Sequence, residues 1–317
     1  MHYAGSETDG YVPVGRTEFA KDASFGYNAS VLRAWVEEKS GGRYAAGDVA
    51  AITLEVVRSG ADDVAETLTA LTDGRPVVVD IVEESDLRVL ALGILRANNA
   101  GKRFVYRVGP PFVRALIGQD VLEPLTTEDV AQIRTGGIGE DATGGLIVVG
   151  SHVAQTTRQL EALRARRHPI ELEIDVATVM DAGREEHLAG IVEEAVNTLA
   201  DGNVVVWTSR ALVTDAGADA SLDIARTVSD AVVEVVQRIL AARPLRFVVA
   251  KGGITSSDVA SRGLSITRAI VRGPMLPGIV SLREPNEGQA RGIPYIVFAG
   301  NVGAEENLAD VVDKLTD

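Results

Sequence analysis

"VVAKGGITSSDVASRG", residues 248–263, is an apolar run, a glycine pair, a group of hydroxyl residues and then a stretch with helical spacing. It predicts a strand, a tight turn and a helix. Two other stretches repeat the design. "GGLIVVGSHVAQTTRQLEALRA" (144–165) places Gly150 and Ser151 after an apolar strand. "IPYIVFAGNVG" (293–303) places Gly300, Asn301 and Gly303 after another. Apolar strands that alternate with helices form a parallel sheet covered on both faces. In such a sheet these turns lie at the carboxyl ends of the strands, where ligands bind.

Working outward, the same rhythm extends in both directions. Upstream, strands are expected at 51–56 (AITLEV), 76–82 (PVVVDIV) and 103–108 (RFVYRV), with helices over 62–74 and 84–101. Residues 119–143 are polar and rich in threonine and glycine, with room for at most one short helix, and read as a connection. Strands follow at 170–176, 203–209 and 246–250, with helices near 184–200 and 221–242 and a closing helix through Leu315. The expectation is two α/β domains with mainly parallel sheets: 1–118, a connection over 119–143, and 144–317. A chain of 317 residues is long enough for both.

Composition narrows the function classes. The formal net charge of -14 argues against non-specific binding to nucleic acid or an anionic membrane. No apolar run approaches the roughly 18 residues of a membrane span, and the start, "MHYAGSETDG", is no signal peptide, so a cytoplasmic protein is the default. With no cysteine, disulfides, thiolate catalysis and cysteine–zinc sites are excluded. His2, His152, His168 and His187 show no metal-ligand spacing.

Each glycine turn has two readings. Glycine lets backbone amides approach a phosphate, and the following helix offers free N–H groups. Equally, each is a strand–helix junction with a hydroxyl cap. Three in one domain favour the ligand reading. Lys251 could neutralise a phosphate or end the strand at the surface. Ser151 and His152 are adjacent and lie outside any G-x-S-x-G elbow, which argues against a serine–histidine pair. No G-x-x-x-x-G-K-[ST] occurs. "GIGEDA" (137–142) fits G-x-G-x-x-A by letter but precedes a strand instead of following one, so a dinucleotide reading lacks its context. In the first half, Lys21, Asp22, Phe25, Tyr27 and Ser30 crowd around Gly26 ahead of an amphipathic helix. Arg107 follows an apolar run and could pair with a carboxylate or phosphate. A solvated face would explain these residues as well.

Taken together, "AKGGITSSDVASRGL", "LPGIVSLRE", "GIPYIVFAGNVG" and "GLIVVGSHVAQTTRQLEAL" resemble the carboxyl-terminal nucleotide-binding domain of the four-carbon acid sugar kinase family. "VPVGRTEFAKDASFGYNASVLRAWVEEKSGG" and "GKRFVYRVGPPFVRA" resemble the later part of its sugar-binding domain. The resemblance implies ATP-dependent transfer of a phosphoryl group to a hydroxyl of a small acid sugar, with Mg2+ bridging the phosphates at a site between the domains. It implies that Ser151, Gly252, Gly253, Ile254, Thr255 and Gly300 contact ATP. Asp22, Phe25, Gly26, Tyr27 and Arg107 become substrate-side candidates. The family's A-D-D-x-T-G-A motif has no counterpart here. The expectation is therefore a first domain incomplete at its amino terminus by about 150 residues, with the catalytic base in that missing segment. Such a chain would tend to self-associate or to need a partner that supplies the segment. Rival readings are a non-catalytic nucleotide-binding remnant and an NAD-dependent oxidoreductase.

Overall fold

The computed structural model describes all residues except 7–9, 22–25, 151–152, 210–217 and 279, and the side chains of 218–222. The chain divides into two compact units, Met1–Val121 and Leu122–Asp317.

The first unit opens with a hairpin, β1 (Tyr3–Ser6) antiparallel to β2 (Gly10–Pro13), followed by α1 (Leu32–Lys39). Then come β3 (Ala50–Ile52), α2 (Leu54–Ser59), α3 (Ala61–Thr69), β4 (Val77–Val79), α4 (Glu84–Asn99) and α5 (Pro110–Leu116). β3 and β4 pair in parallel. Ile52, Val57, Val64, Leu68, Leu90, Ile94 and Phe112 form the core. The α3–α4 contact needs Gly93, because a Cβ there would lie 2.4 Å from Val64.

Two strand expectations fail in this unit. The 51–56 strand stops at Ile52, because the Thr53 side chain accepts from the Val56 amide (3.4 Å) and caps a helix there. The 103–108 run, despite its apolar and aromatic residues, joins no ladder, and Val105 is fully exposed.

The second unit begins with α6 (Thr127–Arg134), which a Thr126–Asp129 capping box starts. Residues 122–143 pack with this unit: Val130 is buried in its core, and the Leu125 amide donates to the Pro274 carbonyl (2.8 Å). There follow β5 (Leu146–Val149), α7 (Ala154–Arg167), β6 (Ile170–Ile174), α8 (Val176–Val179), α9 (Arg184–Thr198), β7 (Val204–Thr208) and α10 (Ala218–Ala242). Next are β8 (Val248–Lys251), α11 (Gly253–Asp258) running into a π-helical turn (Val259–Gly263), β9 (Ala269–Pro274), β10 (Ser281–Pro285), β11 (Tyr295–Phe298) and α12 (Asn307–Thr316).

One seven-stranded sheet runs in the order β6-β7-β5-β8-β11-β10-β9. Its first five strands are parallel, and β10 and β9 are antiparallel additions at one edge. The apolar runs are continuous because both faces are covered. Leu146 and Val148 face the core under α9 and α10, while Ile147 and Val149 face the core under α7 and α12. The connections leave β5 and β8 on opposite faces. Leu160 and Leu163 of α7 belong to one core, and Val259 and Leu264 after α11 belong to the other. β5 and β8 are neighbours, so a crevice opens between their carboxyl ends at the topological switch point. No helix among the described residues is long and apolar enough to cross a membrane.

Candidate functional site

The three glycine turns come together at this crevice. The Gly150 amide donates to the Lys251 carbonyl (3.1 Å), and the Gly252 amide donates to the Phe298 carbonyl (2.9 Å). These bonds extend the β5–β8–β11 ladder by one step and bring the turns to a common edge. A Cβ on Gly150 would lie 2.2 Å from Thr255 Oγ1, so the first turn touches the second directly. Gly252 adopts φ 132° and ψ 150°, a conformation open essentially to glycine alone. Ser256 Oγ donates within the turn, 2.7 Å from the Ala250 carbonyl and 2.5 Å from that of Gly252. Tyr295 Oη donates to the Ser256 carbonyl (2.5 Å). Burial pushes the Tyr295 phenol well above its ordinary range, so it stays a donor. The first bond at the head of α11 runs from the Ser256 amide to the Gly252 carbonyl (3.0 Å). The amides of Gly253, Ile254 and Thr255 therefore have no acceptor within the helix. Gly253 and Ile254 are exposed, and Thr255 is half-buried.

The third turn is held through its carbonyls. Lys251 Nζ lies 2.7 Å from the Ala299 carbonyl, 3.3 Å from Gly300 and 3.5 Å from Val302. From α7, Thr156 Oγ1 donates to Gly300 (3.0 Å) and Gln155 Nε2 to Gly303 (3.0 Å). Gln159 Nε2 donates to both Val302 (3.0 Å) and Ala304 (2.8 Å). Every peptide here is trans, and in a trans peptide the N–H points opposite to its C=O. The amides of Gly300, Asn301 and Gly303 therefore face away from the groups that hold the carbonyls. Among the described residues none of the three has a hydrogen-bond acceptor. Acceptor-free amides in a turn are a group that an anion can engage.

Lys251 satisfies neither sequence reading. Its side chain is fully buried, so it does not end the strand at the surface, and its ammonium is engaged with backbone carbonyls and lies 4.0 Å from the centre of the Phe298 ring. Burial pushes its pKa down to about 7. The clamp residues Gln155, Thr156 and Gln159 escaped the sequence reading. Their signal is positional: Thr156 and Gln159 are polar residues on the helix face that also carries Leu160 and Leu163, and both are fully buried.

Ser151 and His152 lie outside the described residues, as do Asp22 and Phe25. Of the substrate-side candidates, Tyr27 and Arg107 line one cavity of ≈ 560 Å³ in the first unit, together with Trp35, Phe104, Val79 and Ile94. Arg107 stacks its guanidinium over the Trp35 ring, 4.9 Å from the centroid. The lining is largely aromatic and aliphatic. The Gly26 carbonyl accepts from Lys39 Nζ, and Gly26 does not line the cavity. The glycines of "GIGEDA" serve backbone packing: a Cβ on Gly139 would lie 1.9 Å from the Leu245 carbonyl oxygen, and one on Gly137 2.8 Å from that of Gly292. No group of three or more metal-ligating side chains occurs among the described residues.

Both units match known protein families. Residues 146–308 match the family described as the nucleotide-binding C-terminal domain, and residues 1–116 match the sugar-binding N-terminal domain. No curated protein matches the sequence. Among solved structures, a Salmonella typhimurium LT2 protein provisionally assigned as a tRNA synthase aligns with a TM-score of 0.59 at 15% identity, over 95% of this chain and 66% of its own. A Haemophilus influenzae protein aligns at 0.48 and 18%, over 96% and 68%. A Bordetella bronchiseptica domain of unknown function, a domain-swapped dimer with bound citrate, aligns at 0.46 and 19%, over 96% and 66%. The chain thus spans about two thirds of the length of these proteins. At such identities the likeness concerns the fold. The two family matches occur in order along the chain, and the second covers the crevice just described: the chain belongs to the four-carbon acid sugar kinase family.

Proposed function

We propose that the second unit binds ATP with its phosphates against the three glycine turns, and that the protein serves ATP-dependent phosphorylation of a hydroxyl on a small acid sugar. The observation that carries this reading is that two neighbouring turns, at the carboxyl ends of β8 and β11, each carry backbone amides with no acceptor among the described residues. Gly253, Ile254 and Thr255 supply one set, and Gly300, Asn301 and Gly303 the other. Backbone amides suit a phosphate because they donate without requiring a side chain to be ordered. They also suit a protein of net charge -14, whose overall field does not attract an anion. Thr255 Oγ1, packed on Gly150 of the first turn, is assigned to the same phosphates. Phosphoryl transfer depends on positioning and electrostatic stabilisation more than on covalent chemistry by the protein. Mg2+ retains several waters and is held in part by the nucleotide's own phosphates, so a dedicated cage of ligands is not required.

Isothermal titration with Mg-ATP tests the nucleotide half. The expected result is saturable binding that weakens about tenfold in Thr255→Ala, the loss of one hydrogen bond to a charged group. Absence of heat with Mg-ATP, or an unaltered affinity in the variant, overturns the assignment. Binding of NADH instead would favour the oxidoreductase reading. The transfer half is tested by ADP release with a panel of four-carbon acid sugars. Nucleotide affinity without sugar-dependent ADP release would mark a binding protein.

A further inference from the structure

Lys251 sits one residue before the glycine pair yet offers no charge to the crevice. Its ammonium is removed from water and faces three carbonyls and an aromatic ring, with no carboxylate among these partners. Burying a cation against dipoles alone is costly. A methionine would fill the same space without that cost. It could not draw the carbonyls of Ala299, Gly300 and Val302 to one point.

Gln159 repeats the pattern from another element. It is fully buried, its Nε2 shares the Val302 carbonyl with Lys251, and its Oε1 has no partner among the described residues. Two buried side chains, each carrying an energetic penalty, therefore meet on one backbone oxygen.

We propose that Lys251, seconded by Gln159, is a positioning residue that fixes the anion-facing amides of Gly300, Asn301 and Gly303 by holding their peptide carbonyls from behind. This rests on the nucleotide reading of the same turn. The mechanism has two parts. The carbonyl contacts set the rotation of each peptide plane, which aims its N–H outward. In its protonated form the lysine also polarises those peptides, as one hydrogen bond strengthens the next in a chain, so the amides become better donors. Lys251 thus acts on the phosphate through the backbone, without Nζ touching it.

The test uses Lys251→Met and Gln159→Leu in the full chain, with thermal denaturation to confirm folding. Affinities are measured for Mg-ATP and for adenosine. Lys251→Met is expected to lose about tenfold in Mg-ATP affinity, or about 1.4 kcal/mol, with adenosine binding unchanged within about twofold. A merely destabilising role would weaken both ligands alike. Gln159→Leu is expected to lose less, and the double variant less than the sum, because both side chains hold the Val302 carbonyl. An unaltered ratio of Mg-ATP to adenosine affinity in folded Lys251→Met overturns the proposal. The amide 15N resonances of Gly300, Asn301 and Gly303 provide a readout that needs no nucleotide. They should move in Lys251→Met, while those of Gly253 and Ile254 stay in place. If the wild-type chain binds no Mg-ATP, the nucleotide reading fails, and unmoved resonances would then sink the clamp independently.

Discussion

Gly252 and Lys251 are neighbours, and each constrains the site in its own way. At φ 132° and ψ 150° Gly252 occupies a region closed to residues with a Cβ. Gly252→Ala is expected to cost about 1–3 kcal/mol by chemical denaturation and to disturb the amides that follow it. A variant as stable as the parent would show that the turn relaxes at little cost. For Lys251 the prediction concerns pH. Its folded pKa of about 7 lies below the ordinary 10.5 of a lysine. Between those values the unfolded chain binds the extra proton, so stability rises with pH across that window and levels off below it. From pH 7 to pH 9 the gain attributable to this group is on the order of 2 kcal/mol. The measurement is the difference in urea midpoint between the parent and Lys251→Met at both pH values, and equal pH slopes would refute it. Neither residue's full role was legible in the sequence. The glycine pair announced a turn, but "VVAK" reads as a strand with a charged end, and only the position of the third turn explains where that charge goes.

At the scale of elements, legibility followed burial. β5, β7 and β8 are covered on both faces and stand out as apolar runs. β9 and β10 went unread because they are the antiparallel edge, where exposed arginines and turn-forming glycine and proline dilute the pattern. The 103–108 run shows the converse error, since an apolar run without a neighbouring strand makes no ladder. α12 illustrates how the far side of the sheet is secured. Arg134 Nη1 donates to the Leu315 carbonyl (2.6 Å), and Arg246 Nη2 donates to the Thr316 carbonyl (2.9 Å). Two guanidiniums thus satisfy the free carbonyls at the end of the helix. Arg134 is itself buried, so Arg134→Met should cost about 1–3 kcal/mol and speed amide exchange in the last turn of α12. Unaltered exchange there would mean that Arg246 suffices.

At the scale of the whole molecule, the two units differ in how well they close upon themselves. The seven-stranded sheet of the second unit carries helices on both faces. Among the described residues the parallel sheet of the first unit has only β3 and β4, and Val77, Val78 and Val79 of β4 line the ≈ 560 Å³ apolar cavity. An unpaired strand edge beside exposed apolar surface favours pairing with another chain. The net charge of -14 opposes this by repulsion, which salt screens. Sedimentation velocity is therefore expected to show association that grows with protein concentration and with added salt. A single monomeric species under all these conditions would contradict it.

The contact between Gly150 and Thr255 has a further consequence. Because the threonine hydroxyl occupies the space where residue 150 would carry a side chain, the first two turns mesh like teeth. Neither can shift without displacing the other, so a disturbance entering at one strand end is handed across to the next. A reporter group introduced beside the first turn should therefore register events at the second.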